Sequence, residues 1–92
     1  MAGPLTGIKV VGFDWIVIGP LGTSYLGDYG ATVVKVESHI RPDGGRFVGP
    51  FKGGTADPDL SGFFTHQNSS KYSVTINLRH DSGRKLALEL IK

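Results

Sequence analysis

At 92 residues the chain has room for one domain, and a domain of this size buries roughly 60–65% of the surface its unfolded form exposes. Hydrophobic residues make up 39% and aromatics 10%, a globular composition; the absence of cysteine excludes a disulfide scaffold, a zinc ribbon and a cysteine nucleophile. The net charge is +2, from ten scattered Lys and Arg against eight Asp and Glu, which disfavours nucleic acid as a partner and suits a phosphate-bearing small molecule.

No run approaches the ~20 apolar residues of a membrane span. No basic segment followed by a long apolar one marks a secretory leader. The expected address is cytoplasmic, with no membrane partner. Residues 8–13, IKVVGF, read as a first strand. An apolar loop follows through Ile18. Pro20 suits the first turn of a helix, where its missing N–H costs nothing. Leu21, Tyr25, Leu26 and Tyr29 recur at helical spacing and predict the buried stripe of that helix, and Gly30 stops it. Residues 31–38, ATVVKVES, are almost continuously apolar, as in a parallel strand covered on both faces. Strand, helix and strand make a βαβ unit.

Residues 39–62 hold three Pro and six Gly and show no period. Loops of this length are often functional, and Phe47, Val48 and Phe51 predict that this one packs against the domain. Residues 61–70 read as a short helix or a turn. Residues 72–78, YSVTINL, alternate as a strand does. A last helix starts at Asp81 as N-cap, with Leu86, Leu90 and Ile91 as its apolar stripe and Ala87 beside them. It reaches Lys92 without a stop signal, so the sequence is expected to continue. The fold class is α/β: a Rossmann-like βαβ half-fold with a long Gly/Pro loop, a further strand and a C-terminal helix.

The turn at Gly19-Pro20-Leu21-Gly22 comes first among candidate sites, because a helix N-terminus favours a phosphate. Glycines at 19, 22 and 27 do not spell the dinucleotide fingerprint G-x-G-x-x-G, and no Walker lysine is present. A tight structural turn stands equally with nucleotide contact. Glu37 ends the second strand, where a dinucleotide fold places its ribose acid; a salt-bridged Glu is the plainer reading. His39, His66 and His80 lie far apart in sequence, which argues against a metal site. Thr23 and Ser24 have no neighbouring base. Asp14, at the carboxyl edge of the first strand, is either catalytic or bonded to local backbone. Lys71 is either a solvated surface lysine or a point charge for phosphate. Trp15 is either core or one wall of a slot for a flat ring.

Taken together, LTGIKVVGFDWIVIGPLGTSYLGDYGATVVKVE, then RPDGGR, then NSSKYSVTINLRHDSGRKLALELI resemble the N-terminal region of the class III CoA-transferases. That family includes formyl-CoA transferase, carnitine CoA-transferase and α-methylacyl-CoA racemase, and the match runs in order over nearly the whole chain. The resemblance implies a Rossmann-like segment over residues 1–92 that binds coenzyme A as acyl-CoA substrate. It implies a carboxylic acid as the second substrate, and a homodimer of interlaced chains or a complementing chain. It places Trp15, Ile16, Val17 and Ile18 along CoA, Lys71 near its adenine end, and Arg46 in a structural or phosphate-related role. It implies no metal. The family's nucleophilic Asp, which forms an acyl anhydride and then a CoA thioester, lies downstream of this segment, so no catalytic residue is assigned here. Four positions depart from the family pattern. Trp15 and Val17 stand where many members carry a polar residue, Ser38 stands where many carry an Arg that meets CoA phosphate, and Tyr72 replaces an Arg. The alternatives are a non-catalytic nucleotide- or CoA-binding subunit, a racemase-type segment, and an NAD-type domain that the missing glycine fingerprint disfavours.

Overall fold

The computed structural model describes residues 3–92. Its frame is a three-stranded parallel sheet: β1 (Lys9–Gly12), β2 (Thr32–Glu37) and β3 (Lys71–Thr75), in the order β1-β2-β3. Helix α1 (Ile18–Asp28) connects β1 to β2, so the expected βαβ unit is present. A long segment with 3-10 turns at Gly44–Phe47 and Lys52–Gly54, then the short helix α2 (Gly62–Gln67), leads to β3. Helix α3 (Asp81–Ile91) closes the chain. This is the Rossmann-like α/β half-fold that the pattern predicts.

β2 is central because both of its faces can be buried. Val33 pairs with Val10 and Lys71, and Val34 with Val11 and Tyr72, so the ladder continues on either side. Side chains alternate between faces along each strand. Val33, Lys35 and Glu37 share the face under α1 and α2, and Val34 and Val36 share the other. Val33 is 1% exposed, and Ile76 extends β3 by donating its N–H to the Glu37 carbonyl at 2.8 Å.

α1 lies on the sheet with its small side. Pro20, Ser24 and Gly27 are buried, spaced by four and three residues. A Cβ on Gly27 would stand 2.6 Å from the Ser70 carbonyl oxygen, so only glycine allows this approach. The stripe predicted from Leu21, Tyr25, Leu26 and Tyr29 is therefore corrected: Tyr25 is 57% exposed, and Leu26 and Tyr29 also face outward. The period was right and the buried face was wrong, because close approach selects small residues over large ones. α1 also starts two residues before Pro20, which keeps the proline inside the first turn.

Three further expectations change. Phe47 and Val48 are exposed, and the loop is anchored instead by Asp43, Gly45 and Ser61, all buried. Only Phe51 is partly covered, in a bridge to Ser61. His80, not Asp81, is the N-cap of α3; Asp81 is its first residue and pairs with Arg84. The Leu86, Leu90 and Ile91 stripe of α3 points away from the sheet, with Leu86 62% exposed, while Gly83 and Ala87 make the inward contact. Among the described residues, no helix is long and apolar enough to cross a membrane.

Candidate functional site

The carboxyl ends of the three parallel strands open into a cavity of about 240 Å³. Val36 and Ile76 form its buried floor, and Phe13, Trp15 and Leu78 give apolar walls. Ser38 and Asn77 add polar edges, and Arg41 and Arg79 stand at the rim. The Arg41 guanidinium lies 5.1 Å from the centre of the Trp15 ring, within cation–π range. Among the described residues, neither arginine has a carboxylate within salt-bridge distance. Open α/β sheets bind ligands at this edge because the strand ends and the loops after them converge there. An apolar slot with an aromatic wall and two unpaired cations suits a flat ring carrying phosphate.

The other face of β2 is polar and closed. Lys35 Nζ donates to Asp43 Oδ2 at 2.7 Å and to the Asp14 carbonyl at 2.8 Å. Lys35 is 3% exposed and Asp43 is fully buried. Asp43 Oδ1 accepts the N–H groups of Ile16, at 2.9 Å, and Gly45, at 2.8 Å. The Asp43 N–H donates to Glu37 Oε2 at 2.7 Å. Arg46 grips both oxygens of Glu37, at 2.6 and 2.9 Å, and lies 3.7 Å from the centre of the Phe64 ring. Burial alone would raise the Glu37 carboxyl; hydrogen bonds from Arg46 and the Asp43 N–H outweigh it and hold the group below the ordinary carboxylate range. Asp43 follows the same logic, with burial offset by Lys35 and the two backbone donors.

The loop between β1 and α1 joins the two faces. Ile16 has φ 70°, a left-handed conformation for a β-branched residue, which costs on the order of 1–2 kcal/mol. No side chain caps α1 at Val17. Asp14 Oδ2 accepts from Thr23 Oγ1 at 2.7 Å, while its buried Oδ1 has no hydrogen-bond partner and sits 3.7 Å from Lys35 Nζ. A Cβ on Gly19 would fall 2.5 Å from Asp14 Cβ. The Gly19-Pro20 pair thus makes room for Asp14 inside the first turn of α1.

The predicted site residues do not converge. Trp15 lines the cavity, and Ile16, Val17 and Ile18 run from its rim into the start of α1, with Ile18 fully on the outside. Arg46 belongs to the closed face. Lys71 starts β3 at the far end of the strand, where its ammonium donates to the Pro20 carbonyl at 3.0 Å and to Asn68 Oδ1 at 2.8 Å. Burial, countered by Asp14 and reinforced by Lys35, lowers its pKa below that of an ordinary lysine. Glu37 is the salt-bridged Glu of the plainer reading. Asp14 bonds Thr23 and approaches Lys35. Arg41 and Arg79 are cavity residues that sequence reasoning missed. The available signal was their place just after β2 and β3, where the loops of the ligand-binding edge begin.

The fold and cavity define a class: a Rossmann-like α/β half-fold with a cavity at the carboxyl ends of its parallel strands. Comparison with known proteins then gives the family. The sequence profile of CoA-transferase family III matches residues 5–92, and the chain belongs to that family. It is 37% identical to an acyl-CoA transferase of Fusarium pseudograminearum, over 98% of this chain and 21% of that protein. It is 33% identical to the acetyl-CoA:oxalate CoA-transferase of Acetobacter aceti, over 98% of this chain and 22% of that protein. The crystal structure of a CAIB/BAIF family protein from Brucella suis superposes with a TM-score of 0.83 at 35% identity, over 99% of this chain and 24% of that one. The chain thus spans between a fifth and a quarter of the length of the relatives it matches.

Proposed function

We propose that this chain supplies the coenzyme shelf of a CoA-transferase, an enzyme that moves coenzyme A between an acyl-CoA and a carboxylic acid. The observation that carries the reading is the cavity at the strand ends, with Trp15 on its wall and Arg41 and Arg79 at its rim. In this reading the adenine ring enters the apolar slot and the phosphates meet the two arginines. Arg41 then answers the departure at Ser38: three residues on, a guanidinium returns to the same cavity wall. Ile16, Val17 and Ile18 border the path of the pantetheine arm. Lys71, expected near the adenine end, and Arg46, expected in a structural or phosphate-related role, contribute through the strand and loop they hold.

The reacting carboxylate is assigned to polypeptide outside this chain. Asp43 is buried in its ion pair, Asp14 is bonded to Thr23, and Asp28 accepts from Ser70 at 2.6 Å. Asp59 and Asp81 face solvent, away from the cavity. Residues 1–92 are accordingly read as the N-terminal CoA-binding segment of the enzyme. The outward apolar rows of α1 and α3 favour their cover by further polypeptide of the same protein or of a second copy.

Calorimetric titration with CoA, dephospho-CoA and NAD tests the reading. CoA is expected to bind more tightly than dephospho-CoA, and Arg41→Ala and Arg79→Ala to weaken CoA in particular. Equal affinity for the three ligands, or thioester exchange catalysed by the isolated 92-residue chain, contradicts it.

A further inference from the structure

The stretch from Asp14 to Ile16 carries partly exposed side chains on a backbone that is bolted down. The Asp14 carbonyl accepts from Lys35 and the Ile16 N–H donates to Asp43. These two backbone groups flank Trp15 on either side. The side chains that hold them are paired with each other at 2.7 Å in the interior, 3% and 0% exposed. Asp43 is itself pinned by the Gly45 N–H and by its own N–H on Glu37, which Arg46 holds in turn. Ile16 adopts its left-handed conformation where that chain of bonds ends. Strain of this kind persists only where the surroundings over-determine it. A buried ion pair is seldom more stabilising than apolar side chains of equal size, so stability alone does not explain why this one is there.

We propose that the Lys35–Asp43 pair is a positioning clamp for Trp15. It holds the Asp14 carbonyl and the Ile16 amide so that the indole stands on the cavity wall, beside Arg41, before any ligand arrives. The pair lies on the closed face of β2 and the cavity opens on the other, so the clamp acts through the backbone of the β1–α1 loop. The consequence for ligand binding rests on the coenzyme reading above; the consequence for Trp15 itself does not.

Replacing one partner strands the other charge, so the test uses the paired change Lys35→Met with Asp43→Leu in the full-length protein. Trp15 emission is isolated by difference against Trp15→Phe in each background. The folded double variant is expected to show red-shifted Trp15 emission and stronger acrylamide quenching. Its dissociation constant for CoA is expected to rise roughly tenfold, about the worth of one aromatic stacking contact. Unchanged emission and quenching in the folded double variant overturn the clamp. Hydrogen exchange on the unaltered protein tests it without any variant: the Ile16 amide should exchange as slowly as the β2 amides, and exchange at the rate of an open loop overturns the clamp. Failure of the unaltered protein to bind CoA overturns the coenzyme reading and leaves the emission and exchange results to decide the clamp.

Discussion

The two faces of β2 are built in opposite ways. Under α1 and α2 the sheet buries Lys35, Glu37 and Asp43 in one network, every charged group matched by a donor or acceptor. On the other face Val36 and Ile76 floor an open cavity, and the outer side of α3 shows Leu86, Leu90 and Ile91 to solvent. The charged groups of the polar face are bonded throughout except at Asp14 Oδ1, and the apolar face is left open. Charge buried in a protein must be fully paired, whereas apolar surface can wait for a ligand or a neighbour. The difference puts the bonded network on one side of the strand and the open cavity on the other.

The largest expected effect breaks the closed face. Lys35→Ala leaves Asp43 buried without its cation and should cost about 3–5 kcal/mol, read from the midpoint of urea unfolding. Next is Gly27→Val, which forces α1 away from the Ser70 carbonyl; overpacking of this kind costs about 1–3 kcal/mol, measured in the same way. The open face should respond in binding instead. Arg41→Ala and Arg79→Ala should each weaken CoA about tenfold, or ~1.4 kcal/mol, with the urea midpoint unmoved. Leu86→Ser should change stability by less than about 0.5 kcal/mol in the 92-residue chain. A much larger loss there would show that α3 packs with something.

Acid sharpens the same contrast. Glu37 and Asp43 titrate below the ordinary carboxylate range in the folded protein, because hydrogen bonds to their charged forms outweigh burial. The unfolded chain therefore takes up protons first as pH falls. The stability these two groups provide is complete above the ordinary carboxylate range and drains away as pH drops through it toward their folded values. Unfolding free energy measured against pH should show this acid loss, and the paired Lys35→Met, Asp43→Leu variant should show a shallower one.

Much of the fold was legible in the residues. The apolar run at 31–38 marked the central strand and the alternation at 72–78 the next, while the strand at 8–13 and the one at 31–38, on either side of the helix between Pro20 and Gly30, gave the βαβ unit. The family motifs were legible for the same reason: they lie at the turns and strand ends that the topology fixes. The site was read less well. Trp15 was singled out because a lone indole among β-branched residues stands out, and it lines the cavity. Arg41 and Arg79 were missed because their residue type does not distinguish a rim arginine from a solvated one; only their place just after β2 and β3 does.

The sequence by itself determined the order of the elements, the burial of β2 and membership of CoA-transferase family III, since these follow from local periodicity and short motifs. Only the tertiary structure decided which side of α1 and α3 meets the sheet, and that Lys35, Asp43 and Ile16 share one set of bonds. Hydrophobic period tells which residues lie in a row, not how near a neighbour comes, and close approach here favours Gly27 and Ser24 over Tyr25. The Ile16–Asp43 bond joins residues 27 apart, a distance in sequence that only the crossover from β1 through α1 to β2 and back can close.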